Sequence, residues 1–241
     1  MERVIYERIQ ALEETHWWFA GRRAILARVL GELRLPANAR ILEAGCGAGG
    51  NLKLLSRFGS VRAMEPDEPS RKYVSDHWGM QVDHGLLPDG VPYPPQSFDA
   101  VCSFDVIEHV EDDAGAVRAL TDLLVPGGVL VATVPAYQWM WSHHDEQHHH
   151  KRRYTRAQMV RLFEQAGLKV ERASYFNSVL FPLAAGVRLA KNALGLKGAD
   201  DAMPSKPVNW MLERLFASEA VWLKRGSLPF GLSIVIIGRK A

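Results

Sequence analysis

Residues 40–51 read Arg40-Ile41-Leu42-Glu43-Ala44-Gly45-Cys46-Gly47-Ala48-Gly49-Gly50-Asn51. The stretch opens as a short buried-strand pattern in Ile41 and Leu42, reaches an acid, and then breaks into glycines. Amphipathic helical spacing follows over Asn51 to Phe58. A strand, a glycine turn and a helix form the first unit of a doubly wound sheet, in which ligands bind at the carboxyl ends of the strands. Glycine lets the chain turn sharply and lets a ligand lie against the backbone. The spacing Gly45-x-Gly47-x-Gly49 is not the usual dinucleotide loop, and no basic residue stands where a phosphate needs one. Nor does it end in the Gly-Lys-Ser/Thr of a nucleotide-phosphate loop. A glycine cradle without phosphate contacts points to a nucleoside bearing an amino-acid tail. A second short strand, Val61 to Glu65, ends in an acid about 20 residues past the glycines, the distance at which a carboxylate accepts hydrogen bonds from ribose hydroxyls. Gly45, Gly47 and Glu65 alone also fit a nicotinamide dinucleotide, the competing ligand.

At this point the chain resembles the class I S-adenosylmethionine-dependent methyltransferases, whose first motif reads like Glu43-x-Gly45-x-Gly47-x-Gly49. Ser97-Phe98-Asp99-Ala100-Val101 and Leu124-Val125-Pro126-Gly127-Gly128 match the family's fourth strand and the turn before its fifth. Phe104-Asp105-Val106-Ile107-Glu108-His109-Val110 matches the variant found in small-molecule methyltransferases related to quinone-biosynthesis enzymes, the type 11/12-like group. The resemblance covers about residues 37–175 plus the terminal strand. It implies S-adenosyl-L-methionine as cofactor, Glu43, Gly45, Gly47, Glu65 and Pro66 around the nucleoside, and Phe104, Asp105 and His109 on the cofactor side of the fourth strand. Asp105 is then a contact for the methionine amino group. Many relatives carry Gly-Asp after strand three, where the acid meets adenine. This chain has Asp83-His84-Gly85-Leu86-Leu87 instead, so His84, Gly85 or Leu86 is expected to approach adenine through backbone atoms.

The chain's 241 residues suit one α/β domain with additions, and 47% hydrophobic with 23% charged residues supports a full core. A net charge of +2 gives no basic face for nucleic acid. Cys46 and Cys102 sit in the glycine turn and in a buried strand, with neither metal-site spacing nor a disulfide expected. The N-terminus lacks a signal-peptide pattern. The longest apolar stretch, Val179 to Ala190, is broken by Pro182, Gly186 and Arg188 and is too short to span a bilayer. The expected location is therefore cytoplasmic. No pattern speaks to the oligomeric state.

Alternating strand and helix patterns imply a parallel sheet. The expected architecture is a Rossmann-like α/β fold with a seven-stranded, mostly parallel sheet whose last strand, about 231–238, runs antiparallel. The whole chain, 1–241, is read as one domain: N-terminal helices over 1–36 as a lid, a cofactor-binding core over 37–176, a helical insertion over 177–229 and the last strand within 230–241. Helices are expected over about 2–14, 21–33, 49–58, 68–78, 112–124 and 155–165.

Three further constellations bear on chemistry. His16-Trp17-Trp18-Phe19 with Arg22-Arg23 is placed between the two N-terminal helices. Aromatic faces attract a sulfonium and exclude water, so Trp18 closes on the cofactor and Arg22 pairs with its carboxylate. The plain alternative is helix packing. Trp139 to Tyr154 follows strand five on the expected substrate side and holds five histidines, two acids and a tyrosine in a short span. Methyl transfer is an in-line displacement, and a hydroxyl or ammonium acceptor needs a base. Histidine titrates in the right range. The expected base is His144 or His150, oriented by Asp145. Metal binding by the same cluster and a solvated loop without chemistry are the alternatives, and Arg152-Arg153 reads as an anion contact or surface charge. The aromatic and aliphatic stripes of 177–229 read as core, as the wall of an apolar substrate pocket, or as a membrane-surface contact with Arg188, Lys191 and Lys197 near headgroups. The expected function is methyl transfer to a small-molecule acceptor, apolar or of natural-product type. The alternatives are a non-catalytic S-adenosylmethionine-binding protein and a metal-dependent enzyme on the same fold.

Overall fold

The computed structural model describes residues 3–194 and 203–241. Lys197 and the side chain of Lys191 lie outside the described residues, as does part of the Gly198–Pro207 piece. One seven-stranded sheet runs through the chain in the order β3-β2-β1-β4-β5-β7-β6. Its strands are β1 (Arg40–Ala44), β2 (Ser60–Met64), β3 (Val82–Asp83), β4 (Phe98–Phe104), β5 (Leu124–Pro135), β6 (Leu168–Phe176) and β7 (Ser233–Lys240). β1 to β5 pair in parallel, while β7 slots between β5 and β6 and is antiparallel to both.

The strands are buried on two faces, and side chains alternate between them. On β1, Ile41 enters the core shared with Ala100, Cys102, Val131, Val235 and Ile237, whereas Leu42 enters the opposite core with Val101, Leu130, Ile234 and Ile236. The first core is roofed by α2 (Trp17–Leu30) and α9 (Lys206–Ala217), and the second by α5 (Asp113–Asp122) and α7 (Arg156–Gln165). Completing the helices are α1 (Arg3–Leu12), α3 (Leu52–Leu55), α4 (Glu68–Trp78), α6 (His143–Gln147), α8 (Phe181–Leu194) and α10 (Glu219–Arg225). Cys46 and Cys102 are free and buried. No helix among the described residues is long and apolar enough to cross a membrane.

Four local expectations are corrected. The aromatics of 17–19 do not separate two helices. They form the first turn of α2, and His16 is its N-cap, accepting from Trp18 N. The helix expected over about 49–58 is a four-residue turn, Leu52–Leu55. Pro126-Gly127-Gly128 is not a clean turn before β5 but a bulge within it: Phe98 pairs with Leu124, the next pair is Ala100 with Val129, and Gly127 has φ 79°. The segment after β5 carries α6, a helix that sequence spacing did not signal. Its Ser142–Asp145 capping box supplies the start. Thr155 caps α7 through a second box with Gln158.

The segment between β6 and β7 packs on the N-terminal helices. Trp17 N donates to Asn209 Oδ1 at 2.8 Å. Phe216 of α9 is fully buried, edge-on to Trp17 and stacked on Phe176. Gly21 is needed here, because a Cβ at that position would stand 2.6 Å from the Phe216 ring.

Candidate active site

Strand order reverses between β1 and β4, the crevice where open α/β sheets hold ligands. The glycine turn leaves β1 with Gly45, Gly47 and Gly49 all at positive φ (76°, 54° and 85°). At Gly45 a Cβ would strike Val106 at 2.6 Å, so that glycine serves close packing against the β4 turn. At Gly47 nothing lies within 4 Å of the Cβ position. That open space above a strained turn is where a ligand can lie on the backbone.

Glu65 closes this cradle. It is buried, and its two oxygens accept from Gly47 N and Asp67 N, each at 3.0 Å. A carboxylate has about four acceptor directions, so two are left for further donors. Pro66 follows on the exposed rim. Beyond β3, His84 and Leu86 are exposed and Gly85 is buried, with Leu86 N and Gly90 O bonded in a small loop. These three stand at the same edge as Glu65, whose N–H donates to Asp83 O.

Glu43 is fully enclosed. Its Oε1 accepts from Asn51 Nδ2 at 2.8 Å, and Oε2 has no partner among the described residues. Burial pushes its carboxyl up to about 8. Glu13, at the end of α1, is also buried, and burial lifts it to about 7 against the pull of Arg22 and Arg23. A Cβ on Gly50 would overlap the Glu13 carboxylate. Glu13 escaped the sequence reading because an acid closing a surface-type helix carries no local sign of burial. Both carboxyls have folded-state pKa values above their unfolded ones, so their favourable contribution is complete below about 4.5 and is lost as pH rises through 7–8. The neutral His109 and His144, both lowered by burial, work in the opposite direction below about pH 6.5. The ligand-free protein is therefore expected to lose thermal stability between about pH 6.5 and 8.5, and Glu43→Gln should flatten that slope. Melting curves across this range check it, and parallel wild-type and variant profiles contradict it.

Arg22 and Asp105 meet across the crevice. Arg22 is buried, its guanidinium sits 4.6 Å from the Trp18 ring centroid, and its Nη1 donates to Asp105 Oδ2. Each was expected to contact one end of an amino-acid tail, and here they are partnered with each other. Asp105 holds φ 56° at the end of β4, a position aspartate tolerates better than most residues. Its N–H donates to Thr133 O. Phe104 is buried beneath it.

On the far side of β4, a 3₁₀ turn (Ile107–His109) and the segment after β5 bring histidines together. Asp145 is fully buried. Its Oδ1 accepts from His150 Nδ1 at 2.8 Å and from Arg153 Nε at 2.7 Å, and its Oδ2 accepts from Ser142 N at 2.9 Å. Burial would raise this carboxyl, but His150 and Arg153 outweigh it and hold Asp145 below the usual range. Asp145 thus orients His150 and not His144. His144 instead lies against His148, with the rings tilted by 31° and their centroids 4.0 Å apart, and burial depresses its pKa well below the ordinary value. Arg153 is not surface charge either: it is buried on Asp145 and Ala136 O. Arg152 pairs with Asp113 at 2.9 Å. His150 also faces His109, whose pKa burial lowers to about 3. Glu108 lies beside them, completely buried, and burial raises its pKa well above normal.

An aromatic wall adjoins this segment. Tyr137 stacks on Tyr175 and Trp139 and touches Phe181, which in turn meets Phe230. Arg188 of α8 donates to Met140 O at 3.2 Å, tying the insertion to the histidine segment and not to open solvent.

Comparison with known proteins bears on the family and the fold. Residues 16–173 match the family model for a methyltransferase domain. The chain belongs to the class I S-adenosylmethionine-dependent methyltransferases. It is 30% identical over 167 residues to a probable S-adenosylmethionine-dependent methyltransferase of Mycolicibacterium smegmatis, covering 68% of this chain and 63% of that protein. A ubiquinone biosynthesis O-methyltransferase of Xanthomonas axonopodis is 34% identical over 128 residues, 47% of this chain and 54% of the relative. The chain thus spans between half and two thirds of these two curated relatives. Among solved structures, an S-adenosylmethionine-dependent methyltransferase from Thermotoga maritima superposes with a TM-score of 0.61 at 18% identity, covering 98% of this chain and all of the other. A Haloferax volcanii structure containing the Trm112 methyltransferase activator and a methyltransferase gives a TM-score of 0.65 at 16% identity, covering 98% and 94%. Both likenesses concern the fold. The family's cofactor is S-adenosylmethionine, and the open turn at Gly47 with the half-free Glu65 carboxylate accommodates its nucleoside.

Proposed function

We propose that this methyltransferase moves the sulfonium methyl of S-adenosylmethionine to an oxygen, nitrogen or carbon of a small-molecule acceptor. The cofactor supplies an electrophilic methyl and leaves as S-adenosylhomocysteine. Glu43, Gly45, Gly47, Glu65 and Pro66 hold the adenosine, with His84, Gly85 and Leu86 at the adenine end. Trp18, Arg22, Phe104, Asp105 and His109 surround the amino-acid tail and sulfonium. His150, steadied by Asp145, activates the acceptor. The observation that carries this reading is the buried Asp145–His150 pair, whose imidazole meets His109 of the turn after β4, the turn whose Val106 packs on Gly45. The aromatic wall of Tyr137, Trp139, Tyr175 and Phe181 favours an acceptor with an apolar body. The likeness to ubiquinone-biosynthesis O-methyltransferases, confined to about half of each chain, supports oxygen as the atom methylated.

Calorimetry with S-adenosylhomocysteine tests the cofactor half. Binding in the micromolar range, about −8 kcal/mol, is expected. Glu65→Ala should weaken it by about 1–3 kcal/mol through lost hydrogen bonds to a charged group. Tighter binding of a nicotinamide dinucleotide, or no binding at all, would sink the reading.

A further inference from the structure

Glu108, His109 and His150 converge in a way that proton transfer alone does not require. Glu108 is fully buried, and neither of its carboxylate oxygens has a hydrogen-bond partner among the described residues. Buried polar atoms are almost always satisfied, so two empty acceptors on one side chain call for a missing partner. Glu108, His109 and His150 each offer one ligand atom, and the three atoms lie within 4.8 Å of one another. The two imidazoles stand nearly perpendicular, with centroids 4.6 Å apart.

The His150 ring is also braced from behind. Its Nδ1 is bonded to Asp145 Oδ1 at 2.8 Å, which leaves Nε2 for another partner. Metal-binding histidines show this pattern: one nitrogen is fixed by a carboxylate or carbonyl and the other is aimed at the ion. Arg153 and Ser142 N hold Asp145 in turn.

We propose that Glu108, His109 and His150 bind one divalent cation of the zinc type, with a coordination position left open toward the acceptor. Two imidazole nitrogens and one carboxylate oxygen suit a borderline ion, and three protein ligands with an open position are the form that catalytic sites take. The proposal rests on the methyltransferase reading and says how His150 activates the acceptor. A hydroxyl coordinated to the ion loses its proton to water at lower pH. Its oxygen then forms the bond to the methyl carbon as the carbon–sulfur bond breaks and the sulfur keeps that electron pair.

The test uses the full chain without a histidine tag, stripped by chelator, then titrated with Zn²⁺ by calorimetry and with Co²⁺ by visible absorption. One equivalent of each ion is expected to bind, with a Co²⁺ spectrum of low coordination number. Glu108→Gln, which keeps the side-chain shape, should weaken binding at least about tenfold. Asp145→Asn should weaken it about 10–100-fold, as loss of such supporting partners does. His143→Ala, at a half-buried residue of α6 whose ring pairs with Glu146 outside the cluster, should leave it within about twofold. Circular dichroism establishes that each variant is folded. If Glu108→Gln does not fold, the wild-type Co²⁺ spectrum together with the Asp145→Asn titration decides. Absence of stoichiometric binding overturns the proposal, as does affinity that follows His143 and ignores Glu108. S-adenosylhomocysteine binding to the metal-free wild type separates the two readings: retained cofactor binding with no metal binding refutes the cation site alone.

Discussion

His150→Ala is expected to lower turnover about 10²–10⁴-fold, the usual worth of a group that moves or activates a proton, while leaving S-adenosylhomocysteine affinity nearly unchanged. His150 reaches Asp145, His109 and the space beside Glu108, and none of these belongs to the nucleoside cradle of Gly47 and Glu65. A loss in kcat without a change in cofactor binding is therefore the expected split. His144→Ala should change turnover less than about threefold, because Asp145 does not hold it and its ring is spent on His148. Steady-state kinetics on the true acceptor, with calorimetry on the same variants, make the comparison. Full turnover in His150→Ala would remove this residue from the chemistry. A larger loss in His144→Ala would restore the alternative that the sequence left open.

Phe216→Ala is expected to destabilise the protein by about 3–5 kcal/mol, as large-to-small changes of buried aromatics do, which corresponds to a melting temperature roughly 6–20 °C lower. Phe216 fills the contact among Trp17, Gly21 and Phe176, with no solvent exposure. Removing it leaves a cavity between α2 and α9 that the rigid sheet below cannot close. Since α2 also carries Trp18 and Arg22, cofactor affinity should fall along with stability. Phe216→Leu should cost far less. A loss under about 1 kcal/mol in Phe216→Ala would mean that α9 does not brace α2.

What could be read in the chain was what short-range chemistry controls. The glycine turn after Ile41-Leu42-Glu43, the acid at Glu65 and the alternation of β-type and helical patterns each express a constraint acting within a few residues, and the sheet formed as those patterns required. The antiparallel entry of β7 was expected from the βα alternation, followed by strand six, a long connection and a final strand, and β7 pairs antiparallel with both β5 and β6. Local pattern failed where a helix start depends on a cap, as with Trp17 following His16 and the α6 box at Ser142 and Asp145.

Which histidine has a function was a different kind of question. His144 and His150 are indistinguishable in the sequence, since both lie close to Asp145. Only the fold of the segment after β5 turns Nδ1 of His150 onto Asp145 and its ring toward His109. Burial separates residue pairs in the same way. Arg152 and Arg153 are neighbours of identical chemistry, yet one meets Asp113 near the surface and the other is sealed against Asp145. Glu13 and Glu108 became buried acids because distant elements closed over them, α2 and the glycine turn in one case and the segment after β5 in the other. Backbone preference and hydrophobic period are local properties, so the sequence by itself determined the order of elements, the glycine turn after β1 and the family. Charge partners and desolvation depend on contacts between residues far apart in the chain, so only the tertiary structure decided which of these acids, arginines and histidines are buried and what each is paired with.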